Sequence, residues 1–252
     1  MTAVRVSWRD LWLRRSPGLP PGQRRLDAFP RFGDDPRRRP PPEGALPALA
    51  VGRVGAVALC LGSDELADAV TVDRVHDFHC VTTWTRCDLR WSGLSMAHVW
   101  SDLIAPAIDR PEDIGFIVAC GGDGYRAVLH LDDLLHPDVI LATMLDGAPL
   151  DRRHGAPLRL VSPPQYGYKS VKHLVALELH ETRPASGLGP REHVRARVEL
   201  EERHSRLPAK LLRLPYRALV PITAALAERS LAQTPSDVSP TVPEGSATSN
   251  PA

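Results

Sequence analysis

No two cysteines of this 252-residue chain form a Cys-x-x-Cys pair; Cys60, Cys80, Cys87 and Cys120 stand far apart. That spacing excludes a disulfide framework of the secreted kind and offers no paired-ligand zinc motif. Charge of one sign is also lacking. The formal net charge is +1, so no global field selects nucleic acid or an anionic surface. No stretch reaches the roughly 18 uncharged apolar residues of a membrane span. Met1 to Arg15 lacks the apolar run of a signal peptide and carries Arg9, Arg14 and Arg15 instead, so the expected compartment is the cytoplasm, where Cys80 stays a thiol. There is no Gly-x-Ser-x-Gly, no P-loop and no Rossmann glycine fingerprint, which leaves hydrolase, nucleotidase and nicotinamide functions without support. No internal repeat is visible.

What is present is enough apolar sequence, 43%, for a sizeable core. Proline is abundant, 25 residues gathered in the first fifty positions and the tail, where it favours extended chain over packed elements. Trp8, Leu11 and Trp12 share one face of an expected short helix. Residues 16–49 read as an extended wrap, with Arg37-Arg-Arg39 and Pro40-Pro-Pro42 as a solvated loop rather than a nucleic-acid patch. Val51–Leu61 reads as a strand. Val70, Val72 and Val75 lead to Cys80, placing the thiol where strand gives way to loop. Leu94–Ile108 has helical spacing, Ile114–Ala119 is a buried strand, and Leu129–Leu135 a short helix. Val139–Leu145 is a strand closed by the Asp146-Gly147 turn. Leu158–Val161 and Val171–Leu179 complete the sheet. Without regular strand–helix alternation, the expected layout is α+β with mixed sheets and peripheral helices. Beyond Pro184 the chain is expected to form a charged helix over Arg191–Arg206. Two short helices are expected over Leu211–Leu226, broken by Pro215 and Pro221. A disordered tail follows from Thr234.

Two stretches carry the candidate chemistry. The first is Asp77-Phe-His-Cys-Val-Thr-Thr-Trp84. A lone cysteine is by default inert core packing, but His79, Thr82, Thr83 and Thr85 surround Cys80 with polar groups that a core site avoids. Its thiolate is a soft ligand suited to redox metals, and Trp84 can wall such a site. His76, His79, Cys80 and Cys87 raise zinc, yet consecutive side chains in extended chain point to opposite faces, so His79 and Cys80 make poor co-ligands. The second stretch runs from His154 to Lys172. Arg159 can fork onto a phosphate, and Lys169 and Lys172 add point charges. Gly155 and Gly167 let backbone amides approach. The bland alternative is a solvated basic turn. Tyr125, just past Gly121-Gly-Asp-Gly124, is either an exposed turn residue or a phenol at the mouth of a metal pocket.

In order and spacing, several motifs resemble the molybdopterin-binding domain of the sulfite oxidase family, which includes the catalytic subunit of a periplasmic methionine sulfoxide reductase. They are Phe78-His-Cys-Val-Thr-Thr-Trp84, Trp91-Ser-Gly93, Asp123-Gly-Tyr125 and Asp146-Gly-Ala-Pro-Leu150. His154-Gly-Ala-Pro-Leu-Arg159 and Tyr166-Gly-Tyr-Lys-Ser-Val-Lys172 complete the set. The resemblance covers roughly Leu19 to Leu179. It implies the α+β fold of that family around a Mo-molybdopterin cofactor, with Cys80 as the metal's protein ligand. It implies His154 and Arg159 as cofactor contacts and Ser170, Val171 and Lys172 as the grip on the pterin phosphate. His79 is expected beside them, Tyr125 with Cys80 at the reacting centre, and Phe29–Phe32 over the cofactor. One departure concerns substrate. Sulfite oxidases proper place an arginine five residues after the ligand cysteine, and here that position is Thr85.

These readings imply a short helix over residues 1–18, a molybdopterin-binding oxidoreductase domain over 19–183, a helical extension over 184–231 and a tail over 232–252. The expected function is molybdenum-dependent oxygen-atom transfer to or from a small S- or N-oxide substrate, with electrons passing to a separate protein partner. The alternatives are a molybdopterin-binding scaffold or carrier without turnover, and a metal-free thiol enzyme using Cys80 and His79.

Overall fold

A computed structural model describes residues 6, 18–31, 35, 38–41, 48–67, 69 and 71–232. The expected helix at Trp8–Trp12 and the tail from Thr234 lie outside the described residues. Two mixed sheets form the body. The first joins β1 (Arg24–Arg25), β4 (Thr71–His79), β5 (Trp84–Ser95), β8 (Ile140–Leu145), β9 (Ala148–Pro149) and β10 (Arg159–Val161). Its long central strand, β5, pairs in parallel with β1 and antiparallel with β4 and β8. The second has the order β3 (Ala56–Leu61), β2 (Leu49–Arg53), β11 (Leu174–His180), β6 (Phe116–Gly121) and β7 (Arg126–His130). In it β11 and β2 run parallel and the other pairs antiparallel. The α+β, mixed-sheet expectation holds.

Period-two alternation assigns each strand residue of the first sheet to one of two cores. Leu141 and Leu160 join Leu94, Ile117, Leu174 and Leu177 in the core between the sheets. Ile140, Ala142 and Val161 face the other way, onto Trp84, Trp91, Leu26 and Val220. Val220 belongs to a C-terminal helix, Ala209–Ala232, which is therefore a third layer. Burying aromatics of this size contributes roughly 1.5–3 kcal/mol per side chain, so the helix is anchored by one of the richest apolar patches of the molecule.

Several expected elements differ. Val51–Leu61 is a hairpin rather than one strand; Gly55, at φ +81°, turns the chain between β2 and β3. Leu129 lies in strand β7, which ends at His130, and the short helix is only Leu131–Leu134. The strand expected from Val171 begins at Leu174. Arg191–Arg206 is not a helix but a turn-rich segment after a 3-10 turn at Gly189–Arg191. Its charges pair across the fold, Arg195 with Asp133, and within the segment, Arg197 with Glu202 and Arg203 with Glu201. Conversely, Leu211–Leu226 is one helix running through Pro215 and Pro221. An interior proline costs about 3 kcal/mol. The buried stripe of Arg217, Val220, Ala224, Ala227 and Ser230 holds the helix against that cost. No described helix is long and apolar enough to cross a membrane.

Candidate cofactor and active site

Strand β4 runs to His79, and the hairpin to β5 closes by hydrogen bonds from the Cys80 amide to the Trp84 carbonyl (2.8 Å) and from the Thr83 amide to the Cys80 carbonyl (3.1 Å). Cys80 is thus the first residue past the strand, where sequence placed it. A register shift between His76 and Phe78 turns Phe78 inward. Cys80, two residues on, also points in, and His79 points away. Thr83 is held at φ 79°, a conformation costly for a β-branched residue; its hydroxyl accepts from Arg217 Nε at 3.1 Å. Gln23 Nε2 donates to the Cys80 carbonyl at 3.1 Å.

The second stretch folds into a cradle stitched to itself. Backbone bonds run from Leu160 N to Val171 O (2.9 Å), from His173 N to Gly155 O (3.1 Å) and from Leu174 N to Leu158 O (2.8 Å). Gly155 is obligatory: its φ is +106°, and a Cβ there would sit 2.8 Å from Lys172 Cβ.

The two stretches meet around one cavity of about 270 Å³, lined by Cys80, Tyr125, His154, Arg159, Ser170 and Lys172 together. His79 and Val171 do not line it. His79 Nδ1 lies 2.8 Å from Thr85 Oγ1, and burial lowers its pKa to about 4. Val171 is wholly buried in the core between the sheets. Lys169, expected in the cradle, instead forms a buried ion pair with Glu192. Arg31, inside the Phe29–Phe32 segment expected over the cofactor, and Arg38, read as part of a solvated loop, both line the cavity. Arg38 lies over the Tyr125 ring at 5.7 Å and donates to the Asp123 carbonyl at 3.2 Å. Nothing local in sequence marks Arg38, because only the chain's return past the β6–β7 turn brings it in.

Cations outnumber carboxylates in the cavity lining, Arg31, Arg38, Arg159, Lys172 and Arg191 against Asp35 and Asp123. Arg159 is 1% exposed, lies 5.1 to 5.9 Å from the Phe78, Trp91 and Phe29 ring centroids, and donates Nη1 to the His154 carbonyl at 3.0 Å. Its Nε has no partner among the described residues, nor does Arg31 Nε. Burial lowers the Arg159 pKa to about 9. Burial, then Arg159 and Arg31, pull Lys172 to about 7. Burial, then Arg159 and Lys172, drive His154 far below the usual imidazole range, so it is neutral, stacked on Phe29 at 4.4 Å. Ser170 Oγ accepts from the Ser162 amide at 3.1 Å, leaving its O–H to donate. A buried guanidinium with an unpartnered donor is costly; a phosphate reaching Arg159 would remove that cost, with Lys172 and Ser170 lining the same cavity. Opposite them, burial raises the Cys80 thiol pKa, and Thr82 Oγ1 stands 3.1 Å from the sulfur. Among the described residues no three His, Cys, Asp or Glu side chains gather as a metal site. The donor set is one thiol facing an anion cradle, which fits a metal brought in on a phosphate-bearing organic chelator.

Those features define a cofactor-binding oxidoreductase domain. The chain belongs to the oxidoreductase molybdopterin binding domain family, whose family model matches residues 48–187, and its cofactor is Mo-molybdopterin. It is similar to the protein-methionine-sulfoxide reductase catalytic subunit MsrP of Xanthomonas campestris pv. campestris. Identity is 33% over 137 residues, 49% of this chain and 42% of that protein. It is also similar to the uncharacterized oxidoreductase YuiH of Bacillus subtilis, 36% identical over 103 residues, 41% of this chain and 50% of the relative. The matches thus span half or less of the relatives' own length. Among solved structures, the sulfane dehydrogenase SoxCD from Paracoccus pantotrophus aligns with a TM-score of 0.46 at 18% identity, over 68% of this chain and 50% of that one.

Proposed function

We propose that this domain catalyses molybdenum-dependent oxygen-atom transfer to or from a small S- or N-oxide substrate, in the cytoplasm, and exchanges electrons with a separate protein. The observation that carries the reading is the shared cavity. It brings one buried thiol and a buried, unneutralised arginine to one lining, which would suit a metal carried on a phosphate-bearing chelator. The Xanthomonas relatives are named as reductases of a sulfoxide and as catalytic subunits, which supports an S-oxide substrate and a partner. All four cysteines stand free, in keeping with a reducing compartment.

The cofactor, when bound, supplies the two-electron redox change coupled to oxygen-atom transfer. The chain's own residues do the rest. Cys80 would offer a thiolate to the metal, giving up the proton that its burial retains. Arg159, Ser170 and Lys172 would hold the phosphate end, and His154, neutral and stacked on Phe29, would pack against the chelator. Tyr125 donates its hydroxyl to the Tyr168 carbonyl at 2.7 Å, which fixes the phenol at the cavity wall to orient a substrate. Thr85 is buried, its hydroxyl bonded to Gln23 Oε1 at 3.1 Å. The position that would carry an oxyanion-binding arginine therefore holds no charge and does not reach the cavity, and this favours a substrate other than sulfite.

The test is metal analysis and pterin extraction on protein from a host that makes the cofactor, followed by assays with sulfite, sulfoxides and N-oxides using artificial electron donors and acceptors. Molybdenum equimolar with the chain, lost or inactive in Cys80→Ser, is expected. Protein that folds without molybdenum, or a Cys80→Ser variant that keeps full oxide turnover, overturns the reading. Molybdenum with silence across the panel leaves a carrier domain.

A further inference from the structure

The family match ends at residue 187, yet the cavity does not. Leu188, Arg191, Tyr216, Leu219, Thr223 and Ala227 line it as well. The last four recur at spacings of three and four along the C-terminal helix, so they form one stripe. It lies beside the buried stripe of Arg217, Val220 and Ala224 that packs the helix onto the first sheet. The helix thus rests on the domain with one stripe and faces the cavity with the next.

The same segment holds both loops that carry the chemistry. On the thiol side, Arg217 bonds Thr83 Oγ1 at 3.1 Å and Gly22 O at 3.4 Å. Arg203, wholly buried, donates to the Val81 carbonyl and to Pro21 O at 3.1 Å, and its guanidinium lies 4.9 Å from the Tyr166 ring centroid. On the cradle side, Glu228 pairs with Arg153, next to His154. Arg213, from the helix, forks onto Glu201 at 2.6 Å through both Nε and Nη2. A segment fixed on both banks of the cavity cannot be a loose appendage.

We propose that the C-terminal segment is the substrate-selecting wall of the site. Tyr216, Leu219 and Thr223 determine how bulky a substituent on the reacting atom can come within reach of Cys80. Arg191 is the segment's one charge at the cavity, and the helix stripe offers methyl, aliphatic and aromatic surface with two hydroxyls. It therefore discriminates by width and apolar fit, where one methylene changes reactivity by about tenfold or more. The inference rests on the cavity being the reaction site, and its test separates the two.

Full-length cofactor-free protein is treated with iodoacetamide and with a bulky fluorescein maleimide, and each cysteine is followed by peptide mass spectrometry. Exposed Cys60 reports general reactivity in the same sample. Thr223→Trp is expected to slow both reagents at Cys80 by about tenfold and leave Cys60 alone. Thr223→Ala is expected to hasten the maleimide more than iodoacetamide. Should Thr223→Trp push the helix off, Cys80 labels faster and Tm falls, and the size-dependent response of Thr223→Ala then decides. Cys80 rates that ignore both substitutions overturn the proposal. In loaded enzyme, the ratio of kcat/KM for bulky over small oxides should rise in Thr223→Ala. If wild-type enzyme reduces no oxide while labelling still obeys Thr223, the reaction assignment fails and the wall stands.

Discussion

At the scale of single residues, Arg159 embodies a trade of stability for binding. Its guanidinium is buried among three aromatic rings with no carboxylate beside it among the described residues, and its Nε lacks a partner. Arg159→Met keeps the stem packing and removes the stranded charge. The cofactor-free variant should melt about 2–4 °C higher, the shift that about 1 kcal/mol makes at this size, while cofactor retention through gel filtration is lost. A lower Tm would mean the arginine is already compensated. Lys172 gives a pH signature. Its folded pKa, about 7, lies below the ordinary 10.5, so between those values the unfolded chain binds more protons and stability rises with pH. Below about pH 7 both states are protonated and the penalty is complete. Urea midpoints of cofactor-free protein should therefore climb from pH 7 toward pH 10 and flatten in Lys172→Met.

At the scale of elements, the joint between the cradle and the segment after β11 is the Lys169–Glu192 pair, with side chains 0% and 1% exposed. Glu192 also accepts from the Val128 amide at 3.2 Å and from Ser186, so strand β7, the cradle and the C-terminal segment share one carboxylate. Removing one partner of such a pair strands the other and costs about 3–5 kcal/mol. Glu192→Gln should show that loss in chemical denaturation, and a paired Lys169→Met, Glu192→Met protein should recover much of it. Elements also show how far sequence reasoning reaches. Strands β6, β8 and β11 announce themselves through apolar runs with clean turn signals. The Arg191–Arg206 turns and the single helix through two prolines do not. In both cases partners distant in sequence, Asp133 for Arg195 and the first sheet's outer face for Val220, outweigh local propensity.

At the scale of the whole molecule, two sheets and a helix clamp one cavity between a hairpin and a cradle some seventy residues apart in the chain, and the outer clamp is the Arg153–Glu228 pair. Its side chains are 7% and 13% exposed, so solvent screens it little. Glu228→Gln leaves Arg153 buried and unpaired and should lower stability by about 3–5 kcal/mol. Hydrogen exchange should quicken first in residues 209–232, because the helix loses a fastening at its far end. Exchange that quickens uniformly would show that helix and sheets open as one unit.

Sequence alone determined the chemistry: one thiol at a strand's end, a Gly-spaced basic stretch to receive a phosphate, and mixed strands without helical alternation. Residue type and short-range spacing carry that information, since a soft ligand and a fork of donors act as such wherever they fold. Tertiary structure alone decided which groups share the cavity. It turned His79 to Thr85, spent Lys169 on Glu192, sank Val171 into the core, and brought in Arg38 and the helix stripe at Tyr216–Ala227. Those outcomes depend on burial and on partners far along the chain, where the cost of an unpaired charge outweighs any local preference.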